Sequence, residues 1–157
     1  MRDWAIDMAR RRDLPPAWVM AALAPARRLP AVQRLIMPPP PGVAKNWAAY
    51  RARFIEPERI AAGVAFARAH EPWLRQAEER YGVPPAMVLG IIGVETFYGR
   101  VMGSFRVLDA LATLAFDFPS GRSDRSPFFR DELEQLLVWS HRERIEPVSV
   151  LGSYAGA

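Results

Sequence analysis

The stretch Val83-Pro-Pro85-Ala-Met87-Val-Leu-Gly90-Ile-Ile-Gly93-Val-Glu95-Thr96 decides how this chain is read. Paired prolines suit the first turn of a helix, where the amide they lack would have no intrahelical partner. The run behind them is apolar for longer than a strand needs, so a helix is expected over it. Counting back from Glu95 by three, four and seven residues reaches Ile92, Ile91 and Val88. That spacing sets the carboxylate on the same face as β-branched apolar side chains, and the periodicity points it inward. Burial favours the protonated form of a carboxyl, which is the form a general acid needs. A second reading stays open: a helix-terminal glutamate that is partly exposed or ion-paired, with Arg100 five residues on.

Composition narrows the classes around this helix. The 157 residues suffice for one domain with a substantial core, and 50% of them are hydrophobic. Cysteine is absent, which excludes a disulfide framework and thiolate metal ligation. With only His70 and His141, a histidine metal cluster is not expected, and neither a metal nor another cofactor is foreseen. The formal charge of +4 is carried almost wholly by arginine, Lys45 being the single lysine. Such a balance suits anionic partners in general and selects none. Arg10-Arg-Arg12 is flanked by Asp7 and Asp13, so it is read as a solvated helix end, and no nucleic-acid partner is expected. Pro, Arg or Glu interrupts every apolar run short of a membrane span. The N-terminus carries acids early and lacks an apolar run closed by small residues, so no export signal is expected in it.

Helix signals dominate the rest of the chain, and the fold class expected is all-α with irregular connections. Helices are predicted over 2–12, from Leu14-Pro15-Pro16 to Leu23, and over 26–37. The proline tract at 38–43 is expected to be a stiff connector. Asn46 should cap a helix to Phe54, and Pro57 should start a long helix towards Tyr81, bent near Pro72, stopped by Gly82 and lined inside by Ile60, Val64 and Ala67. Beyond the turn Gly99–Gly103, helices are expected over 108–116 and 128–141, the latter packing through Leu133, Leu136, Leu137 and Trp139. Residues 119–126 read as a surface loop, and Leu151–Ala157 as loop-like. Trp73, Phe97 and Tyr98 are assigned to core packing, and Asp109 and Asp117 to helix capping and surface solvation. No repeat or second composition regime occurs, so residues 1–157 are read as one domain.

Tyr81-Gly-Val-Pro-Pro85, Gly90-Ile-Ile-Gly-Val-Glu-Thr96 and Tyr98-Gly-Arg-Val-Met-Gly103 follow one another without gaps. With Leu108-Asp-Ala-Leu-Ala-Thr-Leu114, Asp131-Glu-Leu-Glu134 and Gly152-Ser-Tyr-Ala-Gly156, they resemble the membrane-bound lytic murein transglycosylase B family. Trp47-Ala-Ala-Tyr50-Arg-Ala-Arg-Phe54 extends the resemblance upstream. The resemblance implies a lysozyme-like, mainly helical catalytic domain that cleaves the MurNAc-β-1,4-GlcNAc bond of peptidoglycan glycan strands without water. The products then end in 1,6-anhydromuramic acid. Glu95 matches the family's acid, which also serves as base. Ser153 would lie near it and bond the carboxyl or the substrate's acetamido group, and Tyr50 would contribute ring and hydroxyl to the sugar cleft. Read without the family, Ser153 is a turn serine and Tyr50 a packed helix residue. No metal or cofactor is implied. The resemblance further implies the periplasm of a Gram-negative bacterium, with membrane attachment only through a lipid anchor outside this sequence; a monomer is expected.

Members of the family continue past Gly-Ser-Tyr-Ala-Gly-Ala into a Gln-Phe-containing cleft motif and further helices. This sequence stops at Ala157, so the domain is expected to be partial and the second part of the cleft wall to be missing. Two functions are therefore carried forward: a lytic transglycosylase, and a catalytically impaired module that binds glycan or a cell-wall partner.

Overall fold

The computed structural model describes residues 1–38 and 46–154. Along the chain run α1 (Arg2–Arg11), α2 (Pro16–Leu23), α3 (Pro30–Leu35), α4 (Trp47–Ala52), α5 (Pro57–Ala69), α6 (Glu71–Tyr81) and α7 (Pro85–Thr96). There follow β1 (Phe105–Arg106), α8 (Val107–Phe116), α9 (Ser126–Glu143), a 3-10 turn (Pro147–Ser149) and β2 (Leu151–Gly152). The all-α expectation stands. Beyond Pro38 the expected proline connector lies outside the described residues, as does the end of the Leu151–Ala157 stretch. The chain divides into two compact units, one of Met1–Pro39 with Gly103–Ala157, the other Pro40–Met102.

The first unit is built around α8. Every residue from Val107 to Ala115 is buried, and a helix apolar on all sides needs cover on all sides. It is packed by α9 through Phe129, Leu133 and Leu137, and by α3. Leu133, Leu136 and Leu137 are buried as the period predicts, whereas Trp139 stays 38% exposed. The helix expected over 26–37 is shorter, since Pro30 opens α3 and the chain before it is irregular. Asp109 is neither a cap nor a surface group: it is buried, accepts the Arg27 amide at 2.9 Å and lies 3.3 Å from Arg106. That aspartate ties the segment ahead of α3 to the first turn of α8. Asp117 is a surface group, paired with Arg28.

Two features of this unit escaped the period. Arg11 and Arg12 are more than a solvated helix end, because both bond the carboxylate of Glu134, which is buried in α9. Leu151–Gly152 is not loop: it pairs antiparallel with Phe105–Arg106, in the register Phe105↔Gly152 and Arg106↔Leu151. Two-residue strands are too short to show alternation, which hides them from the sequence. Gly103 makes the pairing possible, since its φ of +87° is left-handed and a Cβ there would overlap the Gly152 carbonyl.

In the second unit, α4 starts where its cap predicts: the Asn46 side chain accepts the Ala49 amide at 3.0 Å. The long helix expected from Pro57 is two helices. Pro72 cannot donate to the Arg68 carbonyl and its ring crowds that carbonyl, so the helix ends at His70 (φ −118°, ψ 18°) and α6 begins with proline in its first turn. Gly82 ends α6 in the left-handed region at φ 68°, as anticipated. The inner stripe is displaced from the expected one. Ile60 and Val64 are 55% and 47% exposed, and Ala62 and Gly63 are buried in their place.

Candidate active site

Glu95 is the penultimate residue of α7, and it is exposed rather than inward. The reason lies in which side of α7 is covered. Its one buried residue is Gly93, beneath the hydroxyl end of Tyr98, which also lies against Gly63 of α5. Of the apolar residues on Glu95's own side none is fully buried: Ile91 is 59% exposed, and Val88 and Ile92 are half-buried. Small residues therefore mark the contact face, and a count of β-branched side chains selects the wrong one.

The ion-pair reading of Glu95 also fails among the described residues. Arg100 pairs with Glu58 at 3.0 Å, and its guanidinium lies 5.0 Å from the ring centroid of Phe97. Glu56 faces Arg59 at 3.5 Å and Glu71 pairs with Arg75. Glu95 thus stands at an accessible helix end with no ion pair among the described residues.

The turn behind it is tightly determined. Phe97, Tyr98 and Gly99 all have positive φ, at 50°, 56° and 83°. For the two aromatic residues this conformation is strained by roughly 1–3 kcal/mol each. Hydrogen bonds hold the turn: Thr96 Oγ1 donates to the Ile92 carbonyl at 3.0 Å and accepts the Gly99 amide at 3.0 Å, while the Val101 amide donates to the Thr96 carbonyl at 2.8 Å. Phe97 is half-buried beneath Arg59, whose guanidinium lies 4.3 Å from the ring centroid.

Beside α7 lies a cavity of about 400 Å³, lined among others by Trp47, Tyr50, Phe54, Arg59, Gly93 and Val94. Trp47 and Tyr50 stack at 5.7 Å between ring centroids, and Tyr50 and Phe54 lie 5.0 Å apart. Positions i, i+3 and i+7 put these rings on one side of α4 and its continuation. Tyr50 is 50% exposed: its ring packs with Trp47 and Phe54, as a helix residue with its hydroxyl in water would, and the exposed part of the ring is open to a ligand. Planar apolar faces with a polar rim suit the faces of sugar rings.

The structure thus brings Tyr50 into one unit with Glu95, in the wall of a cavity that includes Val94. Ser153 belongs to the other unit, half-buried directly after β2. Trp73, assigned to packing, is 70% exposed, because Leu74 is the one buried residue of α6. Phe97 and Tyr98 are half-buried, close to the packing role assigned to them. Arg59 went unrecognised, and no local pattern could have found it, since its bond to the Gly93 carbonyl and its place over Phe97 come from residues distant in sequence. Trp47 and Phe54 were within the Trp47–Phe54 motif, and their helical spacing with Tyr50 was the available signal. Among the described residues no group of His, Asp and Glu is placed to hold a metal.

A family model for the transglycosylase SLT domain matches residues 2–157. Membrane-bound lytic murein transglycosylase B of Escherichia coli (strain K12) is 43% identical over 143 residues, which cover 86% of this chain and 38% of that protein. Among solved structures, the Escherichia coli lytic transglycosylase SLT35 in complex with bulgecin A is similar at a TM-score of 0.89 and 40% identity, over 99% of this chain and 48% of that one. SltB3 from Pseudomonas aeruginosa, in complex with NAG-NAM-pentapeptide, is similar at a TM-score of 0.80 and 28% identity, over 99% of this chain and 40% of that one. The chain belongs to the transglycosylase SLT domain family, and its fold is that of the lysozyme-like lytic transglycosylases. It spans less than half the length of each of these relatives.

Proposed function

We propose that this chain carries the acid–base centre of a peptidoglycan lytic transglycosylase, with Glu95 as the group that moves both protons. The observation that carries the proposal is the placement of Glu95: an accessible carboxyl without an ion pair among the described residues, at the end of α7, next to an aromatic-walled cavity. The family match and a relative's complex with NAG-NAM-pentapeptide support a glycan ligand.

The chemistry needs one carboxyl. Protonated Glu95 gives its proton to the glycosidic oxygen as the bond from that oxygen to the muramoyl anomeric carbon breaks. The carbonyl oxygen of the substrate's own N-acetyl group closes on the anomeric carbon and holds the positive charge as an oxazolinium. Glu95, now a carboxylate, takes the proton from the muramoyl 6-hydroxyl, whose oxygen then attacks the anomeric carbon and releases the acetamido group. The anhydro ring forms, no water is consumed, and Glu95 is protonated again. This belongs with the substrate-assisted exceptions to the two-carboxylate scheme. Bound glycan, rather than burial within this chain, would exclude water from the carboxyl.

Tyr50 packs its ring on a sugar and offers its hydroxyl to the glycan, and Ser153, on the strength of its motif, is a second residue for the substrate. The site works in the periplasm, where the polymer is. Purified peptidoglycan sacculi incubated with the chain should release muropeptides ending in 1,6-anhydromuramic acid. Release of hydrolytic muropeptides instead would refute the mechanism, and pelleting with sacculi without any product would reduce the chain to a glycan-binding module.

A further inference from the structure

We infer that Arg59 is a positioning residue for Glu95, acting on the last turn of α7 rather than on the glycan. The inference rests on the proposed role of Glu95 and goes beyond it.

Arg59 lies in the first turn of α5 and reaches across to α7. Its Nη1 donates to the Gly93 carbonyl at 2.6 Å. That carbonyl is among the last four of α7, which have no amide ahead of them in a regular helix. The amide of Phe97, which would have reached it in a continuing helix, bonds Ile92 instead. A cation at a helix C-terminus also opposes the partial negative charge there. The same guanidinium lies over the Phe97 ring at 4.3 Å, with Phe54 on it at 5.4 Å. One side chain therefore holds the residue two before Glu95 and the residue two after it.

What is held is strained: Phe97 and Tyr98 are both left-handed, and Glu95 is carried on the helix end that this turn closes. Backbone in such a conformation persists where its surroundings over-determine it. The arrangement is also a poor one for packing alone. The Arg59 side chain is 17% exposed and its Nε is buried with no hydrogen-bond partner. An apolar side chain of similar length would fill the space without an unmet donor and, of ion pairs, would forgo only the long 3.5 Å pairing with the half-exposed Glu56, which is worth little. Lysine could reach the Gly93 carbonyl but lacks the planar group that lies on Phe97.

The test compares the full chain with Arg59→Met, Arg59→Lys and Glu95→Gln. Each is checked for its melting midpoint, for amide hydrogen exchange along residues 97–101, and for kcat and KM on peptidoglycan. Arg59→Met should lower kcat by on the order of 100-fold, as expected for a displaced catalytic group, and leave KM nearly unchanged. Exchange along 97–101 should quicken about tenfold or more, with α8 and α9 as protected as in the parent. Arg59→Lys should recover part of both. If Arg59→Met does not fold, Arg59→Lys decides by the same two readouts. Folded variants with parental exchange and parental kcat overturn the inference, as does faster exchange with parental kcat. A dead Glu95→Gln beside a fully active Arg59→Met removes Arg59 alone, whereas an active Glu95→Gln removes the function proposed for Glu95. Should the parent itself lack turnover, the catalytic reading fails and parental exchange in Arg59→Met overturns the hold of Arg59 on the turn.

Discussion

Glu95, at the end of α7, and Glu134, in the middle of α9, are both carboxylates next to apolar residues, and the chain treats them oppositely. Glu95 is left in water at a helix end, whereas Glu134 is buried and clamped by Arg11 and Arg12. Replacing Glu95 with Gln keeps shape and removes the proton, so anhydromuropeptide release should fall by at least about 100-fold with the melting midpoint unchanged. For Glu134 the consequence is stability. Burial pushes its carboxyl up, but the hydrogen bonds and charges of Arg11 and Arg12 outweigh this and hold it below the usual glutamate value. A folded value below the unfolded one means stability present above about pH 4.3 and lost as pH falls through the folded value. Thermal melts between neutral and acid pH should therefore show a steeper acid loss in the parent than in Glu134→Gln. The double change Arg11→Met and Arg12→Met leaves a buried carboxylate unpaired, and chemical denaturation should register a loss of roughly 3 kcal/mol.

At the scale of elements, glycine does the placing. Gly63 on α5 and Gly93 on α7 give room to the Tyr98 hydroxyl, and a Cβ at either position would overlap it. Gly93→Ala should displace Tyr98 and destabilise by about 1–3 kcal/mol, measurable by denaturant unfolding. Loss of the Asn46 cap in Asn46→Ala should cost about 1 kcal/mol of local stability, seen as faster amide exchange in α4. Element existence was largely legible because prolines, Asn46 and Gly82 punctuate the chain through local backbone chemistry. Contact faces were less so. Ile60, Val64 and Trp73 carry apolar surface that points to solvent, because close approach of α5 and α7 selects small residues at the contact. The β1–β2 pairing and the Arg59 contacts depend on residues far apart in sequence, and no local period encodes them. Of the site, the identity of Glu95 and Tyr50 came from the motif, while the exposure of Glu95 had to come from the structure.

Taken whole, the molecule concentrates its apolar burial in one of its two units. The cluster on α8 and α9 belongs entirely to the first, while the second buries little beyond Ala62, Gly63, Leu74 and Gly93. Native-state hydrogen exchange should accordingly find the slowest amides in α8 and α9 and faster ones throughout α4 to α7. The proposed acid is thus carried by the more lightly packed unit, whose rings and cavity are open to a polymer. The most direct test of the proposed chemistry is mass spectrometry of the muropeptides released from purified sacculi by the chain and by Glu95→Gln. The account predicts 1,6-anhydromuramoyl ends, one water lighter than hydrolytic ends, from the parent and nearly none from the variant; reducing muramoyl ends, or equal release by Glu95→Gln, would contradict it.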